Sequence, residues 1–258
     1  SKTLSRIADF GYSEFYQGKT ADLIVECMNK NAGIINHNDL ANYRVVEREP
    51  IHGTYRNYNI YSMPPSSSGG ITLVNILNQI ENINIDSLGY HSSNHVHYLV
   101  EAEKRAYSDR SIYLGDMEFV DIPIDMLISK EHAEMQFESI DPNLSTDSFD
   151  IYNPNSQFES EETTHFSVAD KFGNAISITT TLNGWYGNGI TVDGAGFLLN
   201  NEMDDFSIKP GHPNAYGLVG NHANSIQPNK RMLSSMTPTI VETGENDLFL
   251  VLGTPGGS

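Results

Sequence analysis

Apolar residues recur at helical spacing through the first half of the chain. Ala21, Ile24, Val25 and Met28 share one face of the segment 20–28, and the pattern ends near Gly33, predicting a helix of about four turns. Leu73, Ile76, Leu77 and Ile80 repeat in the same way within 70–83, as do Val96, Leu99, Val100 and Ala106 within 95–107. Both segments are predicted to be helices that lay those side chains on a core. Residues 38–43 read as a short capped helix. Residues 55–63 read as a strand that stops at Pro64-Pro65, just before Ser66-Ser67-Ser68-Gly69-Gly70.

From about residue 139 to 162 the periodicity dissolves into Ser, Asn, Asp, Pro and Glu. Such a composition buries too little apolar surface to offset its ordering entropy, so this stretch is expected to be a mobile acidic linker. Beyond it the period changes from helical to alternating. Residues 164–168 and 175–181 flank the turn 170–174 as a hairpin, and 237–241 and 248–252 flank 243–246 in the same manner. Residues 205–228, rich in Gly, Pro and Asn, are expected to form a surface loop, and no internal repeat is visible. The expected organisation is therefore 1–138, a linker at 139–162, and 163–258.

Charge narrows the range of partners. The 33 acids against 15 bases leave a net charge of -18, which repels phosphate backbones and anionic membranes and argues against nucleic acid. Nine of the acids, and no Lys or Arg, lie between residues 131 and 162, so half of the excess belongs to the linker and its approach. No apolar run approaches the length of a membrane span. Cys27 is the single cysteine, which excludes an intrachain disulfide, leaves the compartment open, and is expected to be core or half-buried on its helix. A chain that opens on Ser1 and stops at Gly256-Gly257-Ser258 after a strand-like run reads as a fragment.

The candidate chemistry begins where the linker meets the first strand, at Glu161-Glu162-Thr163-Thr164-His165. Cutting the bond between Glu162 and Thr163 would give Thr163 a hydroxyl nucleophile and, on the same residue, a free α-amine of pKa roughly 7.7 to 8.0 as its base. Taken alone, two threonines opening a strand express only β-propensity. Acyl transfer also needs an oxyanion hole, and Gly253-Thr254-Pro255-Gly256-Gly257 offers backbone N–H groups that no side chain obstructs. His91, His95 and His97 have spacing that invites a metal reading. They are taken instead as exposed or capping residues at a helix start, with no metal and no cofactor expected.

Thr163 to Val168, Gly173-Asn174-Ala175 through Asn183, residues 198–206, residues 228–239 and residues 253–258 together resemble, in order, the motifs of the gamma-glutamyltranspeptidase small subunit. In the first half, Phe15-Tyr16-Gln17-Gly18, residues 63–70 and Ala106-Tyr107-Ser108-Asp109-Arg110 resemble the later part of its large subunit. That family belongs to the N-terminal nucleophile hydrolases. The resemblance implies an α+β fold, a four-layer αββα sandwich, incomplete here at both ends. It also implies self-cleavage between Glu162 and Thr163, a heterodimer of large and small subunits afterwards, and a periplasmic or extracellular location. The implied reaction moves the γ-glutamyl group of glutathione or related compounds to water or an amino acid.

Residue by residue, the resemblance makes Thr163 the nucleophile, Thr181 its hydrogen-bonding neighbour, and Gly256 and Gly257 the oxyanion hole. Glu202 and Asp205 would receive the substrate α-ammonium with Asn183 beside them, while Asp204 is left as a solvated acid. Ser234 and Ser235 would hold the α-carboxylate, and residues 207–224 would be a lid carrying Tyr216 as its gating tyrosine. The resemblance also implies an arginine from the earlier large subunit opposite the two serines, a part expected to be missing here, since the seven arginines of the chain, Arg110 and Arg231 among them, fall in segments that match other family motifs. Two rival functions remain: a cephalosporin-acylase-like amidase on the same scaffold, and an inactive fragment acting only as a binding module. The isolated fragment is expected to show negligible transfer.

Overall fold

The computed structural model describes residues 2–147, 151, 163–212 and 220–256. The chain is α+β and divides into two compact units, Ser1–Arg48 with Leu182–Asn201, and Glu49–Thr181 with Glu202–Ser258. This division cuts across the expected one, because residues 182–201 leave the second half of the sequence to join the first helices.

The first unit is helical. It contains α1 (Lys2–Phe10), α2 (Tyr12–Gln17), α3 (Lys19–Lys30) and α4 (His37–Asn42). The spacing that predicts α3 is the spacing it buries, with Ala21, Ile24, Cys27 and Met28 inside. Ile24 and Cys27 form a small core with Val192 and Ala195, so Cys27 is buried as expected. The cap of α4 is Asn36, whose side chain accepts from Asn38 and Asp39 while Asp39 bonds back, two residues earlier than the capped start expected.

The second unit carries β1 (Ile51–Tyr55), β2 (Tyr58–Ser62), α5 (Gly69–Ile80), α6 (Ser93–Tyr113), α7 (Ile124–Leu127) and α8 (Lys130–Glu138). It continues with β3 (Thr163–Ala169), β4 (Ala175–Thr181), β5 (Thr239–Thr243) and β6 (Leu248–Leu252). Strands β1-β2-β5-β6 form one antiparallel sheet in that order, and β3-β4 form a second. The strand expected at 55–63 is present as β2, which starts three residues later because the chain turns out of β1 at Arg56, where φ is 53. Ser177 links the sheets: its Oγ donates to Leu252 O at 2.8 Å and accepts from Thr239 N–H at 3.1 Å. Among the described residues, no helix is long and apolar enough to cross a membrane.

Two helices bury a different face from the one their aliphatic pattern predicts. In α5 the deep residues are Ile71, Val74, Asn75, Asn78, Gln79 and Ile80, while Leu73, Ile76 and Leu77 are only half-buried. The buried amides are affordable because backbone carbonyls meet them: Asn75 Nδ2 donates to Leu127 O, Asn78 Nδ2 to Ile128 O, and Gln79 Nε2 to Ala102 O. In α6, Val96 and Val100 face out and the polar side turns in, burying Glu101, Arg105, Asp109 and Arg110.

Each buried charge on α6 has a partner. Glu101 binds Lys104 and Arg105 at 2.8 Å each, and Asp109 meets His132 Nε2 at 2.7 Å. The same cluster pins the start of the expected linker. Arg105 donates to Ser139 Oγ and O, Lys104 to Ser145 Oγ and Thr146 O, and Thr146 N–H to Glu101. Residues 139–147 are therefore bonded to α6. Residues 152–162, with Glu162 among them, lie outside the described residues.

Candidate active site

Thr163 opens β3, and the antiparallel register sets it directly opposite Thr181 at the end of β4. Cross-strand partners share a face of the sheet, so both hydroxyls lie on one side of the hairpin. The turn after β6 closes on the same point. Thr163 N–H donates to Pro255 O at 2.8 Å, Thr163 Oγ1 reaches Thr254 O at 3.5 Å, and Thr254 Oγ1 accepts from Gly256 N–H at 3.1 Å. Gly253 is needed for this approach, because a Cβ there would enter the His165 ring. That ring is itself fixed, with Nδ1 on Thr179 Oγ1 at 2.8 Å and Nε2 on Ser167 Oγ at 2.9 Å. Gly257 lies outside the described residues.

The segment carrying Ser234 and Ser235 is cradled by the polar run before α5. Ser68 N–H donates to Ser234 O and Ser234 N–H to Ser66 O, both at 2.8 Å, forming a parallel bridge. Ser67 Oγ adds a bond to Met236 O at 2.7 Å and Ser68 Oγ one to Ser234 O at 3.0 Å. Gly69 lets the two strands come this close, since a Cβ would strike Thr237 Oγ1 and Met236 O. Beneath lies Arg110, 5% exposed, donating Nε–H to Ser68 Oγ at 3.0 Å and Nη2–H to Ser235 Oγ at 2.9 Å. The sequence showed no arginine for these serines, yet Arg110 reaches one of them across 125 residues.

Upstream, two buried side chains fix the same segment. Asp116, fully buried, accepts from Arg231 N–H at 2.8 Å, and Asn224 Oδ1 accepts from Leu233 N–H at 2.9 Å. Asn224 also joins the serine segment to the acidic turn, a 3-10 helix at Glu202–Asp205. Its Nδ2 donates to Asp205 O at 2.7 Å and its carbonyl accepts from Ser207 N–H at 2.9 Å. Burial pushes the Glu202 carboxyl above its ordinary value. Phe206, Ser207 and Asn224 are buried and anchor the described ends of the segment 205–228, while residues 208, 209, 211, 212, 222 and 226–228 are exposed as expected of a surface loop. Tyr216 lies outside the described residues.

Asn183 belongs to the first unit, where it adopts φ 70 and donates Nδ2–H to Asn201 O at 3.4 Å. Among the described residues, no group of three His, Cys, Asp or Glu is placed to hold a metal ion. His91 stacks on Tyr90 and His97 Nε2 bonds to Asp141 O. The contributions of Asn224, Asp116 and Arg110 are not visible in the sequence. Arg110 and the Ser66–Ser68 run do fall in segments carrying the family resemblance, which marked them without assigning them work.

The family model described as Gamma-glutamyltranspeptidase matches residues 1–258. The glutathione hydrolase proenzyme of Escherichia coli (strain K12) is 51% identical over 259 residues, covering 100% of this chain and 44% of that protein. The crystal structure of Helicobacter pylori gamma-glutamyltranspeptidase aligns with TM-score 0.57 and 48% identity over 58% of this chain and 43% of the other. A cephalosporin acylase from Bacillus halodurans aligns with TM-score 0.76 and 26% identity over 97% of this chain and 42% of the other. The chain spans less than half the length of the curated relatives it matches.

Proposed function

The chain belongs to the gamma-glutamyltranspeptidase family, and on that premise we propose that it carries the reacting centre of a γ-glutamyl transferase and glutathione hydrolase. Thr163 Oγ1 attacks the carbonyl of Glu162 and shifts that acyl group from the amide nitrogen to itself; water then hydrolyses the ester, releasing the Glu162 carboxylate and leaving Thr163 with a free hydroxyl and an α-amine as the resident base. In turnover, the amine takes the proton of Thr163 Oγ1 as that oxygen attacks the γ-carbonyl of the donor. The tetrahedral oxyanion is met by the backbone N–H groups of Gly256, which exchanges its bond to Thr254 Oγ1 for the oxyanion, and Gly257, and collapse expels the amine, protonated by the same base. Water or an amino acid then attacks the γ-glutamyl ester and restores Thr163. Thr181 orients the nucleophile.

Recognition of the donor falls to the two segments joined by Asn224. Glu202, Asp205 and Asn183 receive the α-ammonium, and Ser234 and Ser235 donate to the α-carboxylate. Tyr216 gates the site from the segment 207–224. The scaffold is the four-layer sandwich of the superfamily. The two fragments stay associated as large and small subunits, in a periplasmic or extracellular setting.

The observation that carries this reading is the meeting at Thr163: opposite Thr181 in the hairpin register, with Pro255 O of the 254–256 turn bonded to its amide. An acylase of cephalosporin side chains shares the nucleophile logic. The acid pair and serine pair lying on either side of Asn224 favour an α-amino acid donor instead. The test is incubation of the full-length protein followed by N-terminal sequencing of the smaller fragment and assay with a γ-glutamyl anilide. The expected result is a start at Thr163 with anilide release; a start elsewhere, or uncut protein, overturns the reading.

A further inference from the structure

Arginine donates hydrogen bonds and never accepts them, and its guanidinium stays charged at any working pH. Where Arg110 touches a serine, the direction of the bond is therefore settled. Its Nε–H points to Ser68 Oγ and its Nη2–H to Ser235 Oγ, so each serine answers with a lone pair. Ser68 then sends its own proton on to Ser234 O at 3.0 Å. One buried cation thus begins two polarised paths, one ending at the backbone of Ser234 and the other at the hydroxyl of Ser235. The bond to Ser235 consumes no serine proton. Ser234 Oγ is engaged in the same sense, accepting from Met236 N–H at 3.1 Å.

We propose that Arg110 is a positioning residue for donor binding: it holds Ser235 Oγ as an acceptor from beneath, so that its hydroxyl proton is presented to the substrate α-carboxylate. The inference rests on the assignment of Ser234 and Ser235 given above and adds the residue that orients them. At 5% exposure, Arg110 acts through the serines and not on the substrate. A guanidinium hydrogen-bonded to a hydroxyl oxygen draws density from it and strengthens the bond that hydroxyl donates, most of all to an anion. Two different nitrogens of one rigid plane are used, a spacing that a lysine ammonium cannot reproduce.

The experiment uses the full-length protein, with γ-glutamyl-p-nitroanilide and its analogue lacking the α-carboxylate, 4-aminobutyryl-p-nitroanilide. Self-cleavage and the two sets of kinetic constants are measured for wild type, Arg110→Lys, Arg110→Met, Ser235→Ala and Arg110→Met/Ser235→Ala. For Arg110→Met, KM for the intact donor is expected to rise about 10-fold or more with kcat within about threefold, as for loss of a charge-assisted hydrogen bond. Arg110→Lys recovers less than half of that loss. The double variant is no worse than Ser235→Ala, and no variant changes kcat/KM for the decarboxylated donor by more than about twofold.

An unchanged KM in Arg110→Met, or additive losses in the double variant, overturns the role of Arg110. If Arg110→Met fails to mature, Arg110→Lys is the deciding variant, and an unchanged KM there overturns the proposal equally. A Ser235→Ala variant with unaltered KM would instead overturn the carboxylate assignment beneath it, so the two failures are told apart.

Discussion

In the β3–β4 hairpin, Thr163 faces Thr181 because neighbouring stretches of chain fold back on each other. The hairpin is thinly covered, with Phe166, Val168 and Ile176 exposed by 47%, 56% and 53%. The serine segment is the reverse. Its bonds run from Ser68 and Arg110 to residues 166 and 125 positions away, and Ser67, Ser68, Leu233 and Arg110 are all within 5% of complete burial. A hairpin places two groups by local register, whereas a buried crossing places them by the packing of everything beneath. Changes in the hairpin should therefore alter chemistry with little effect on stability, and changes beneath the serines should alter both.

The sharpest separation is expected from Thr163→Ala in the full-length protein. Self-cleavage and anilide turnover should disappear, with kcat down by as much as about 10^6-fold, while the melting free energy moves by no more than about 0.5 kcal/mol. A large stability loss would place Thr163 among the residues that hold the fold. Asp205→Ala, in the acidic turn, should cost about 3 to 5 kcal/mol in kcat/KM, carried by KM, while processing continues. Normal KM with failed processing would make Asp205 structural.

Asn224→Ala tests the crossing itself. It strands Leu233 N–H and Asp205 O in the interior and should cost about 2 to 4 kcal/mol in a denaturant melt, with a raised donor KM. Loss of stability without a change in KM would separate the acidic turn from the serine segment.

Glu101 gives the pH-dependent case. Burial alone would raise its carboxyl, but hydrogen bonds from Lys104, Thr146 and Arg105 outweigh it and bring the group from near 4.5 to about 2. A carboxyl lowered by folding stabilises fully above its unfolded value and loses that contribution as pH falls through the folded one. Glu101→Gln should thus be about 3 kcal/mol less stable than wild type at pH 7, and the gap should close between about pH 4.5 and 2. A gap unchanged across that window would mean that the partners bind the side chain without regard to its charge. Gly253→Ala is the smallest change. Its Cβ displaces the His165 ring and should cost about 1 kcal/mol in stability, with a modest fall in kcat as the 254–256 turn shifts away from Thr163.

Periodicity alone was enough to place α3, α5, α6, the β3–β4 hairpin and the β5–β6 hairpin, because each rests on contacts between residues near one another in the chain. It was misled about faces. Leu73, Ile76 and Leu77 mark α5 as amphipathic, yet the helix buries Asn75, Asn78 and Gln79 against carbonyls of distant loops, and a pattern of hydropathy carries no record of where such carbonyls are. The paired charges of α6 hide the buried face of that helix for the same reason.

At the candidate site, Thr163, Thr181, Glu202, Asp205, Ser234 and Ser235 were legible as residue types in an ordered set of motifs. Their assembly was not. The bond from Arg110 to Ser235, the two-sided grip of Asn224 on Asp205 and Leu233, and the anchoring of Arg231 N–H on Asp116 join residues far apart in sequence. Local propensity is a property of a few consecutive residues and can be read along the chain. The partner of a buried polar atom is chosen by packing, which exists only once the whole unit has folded.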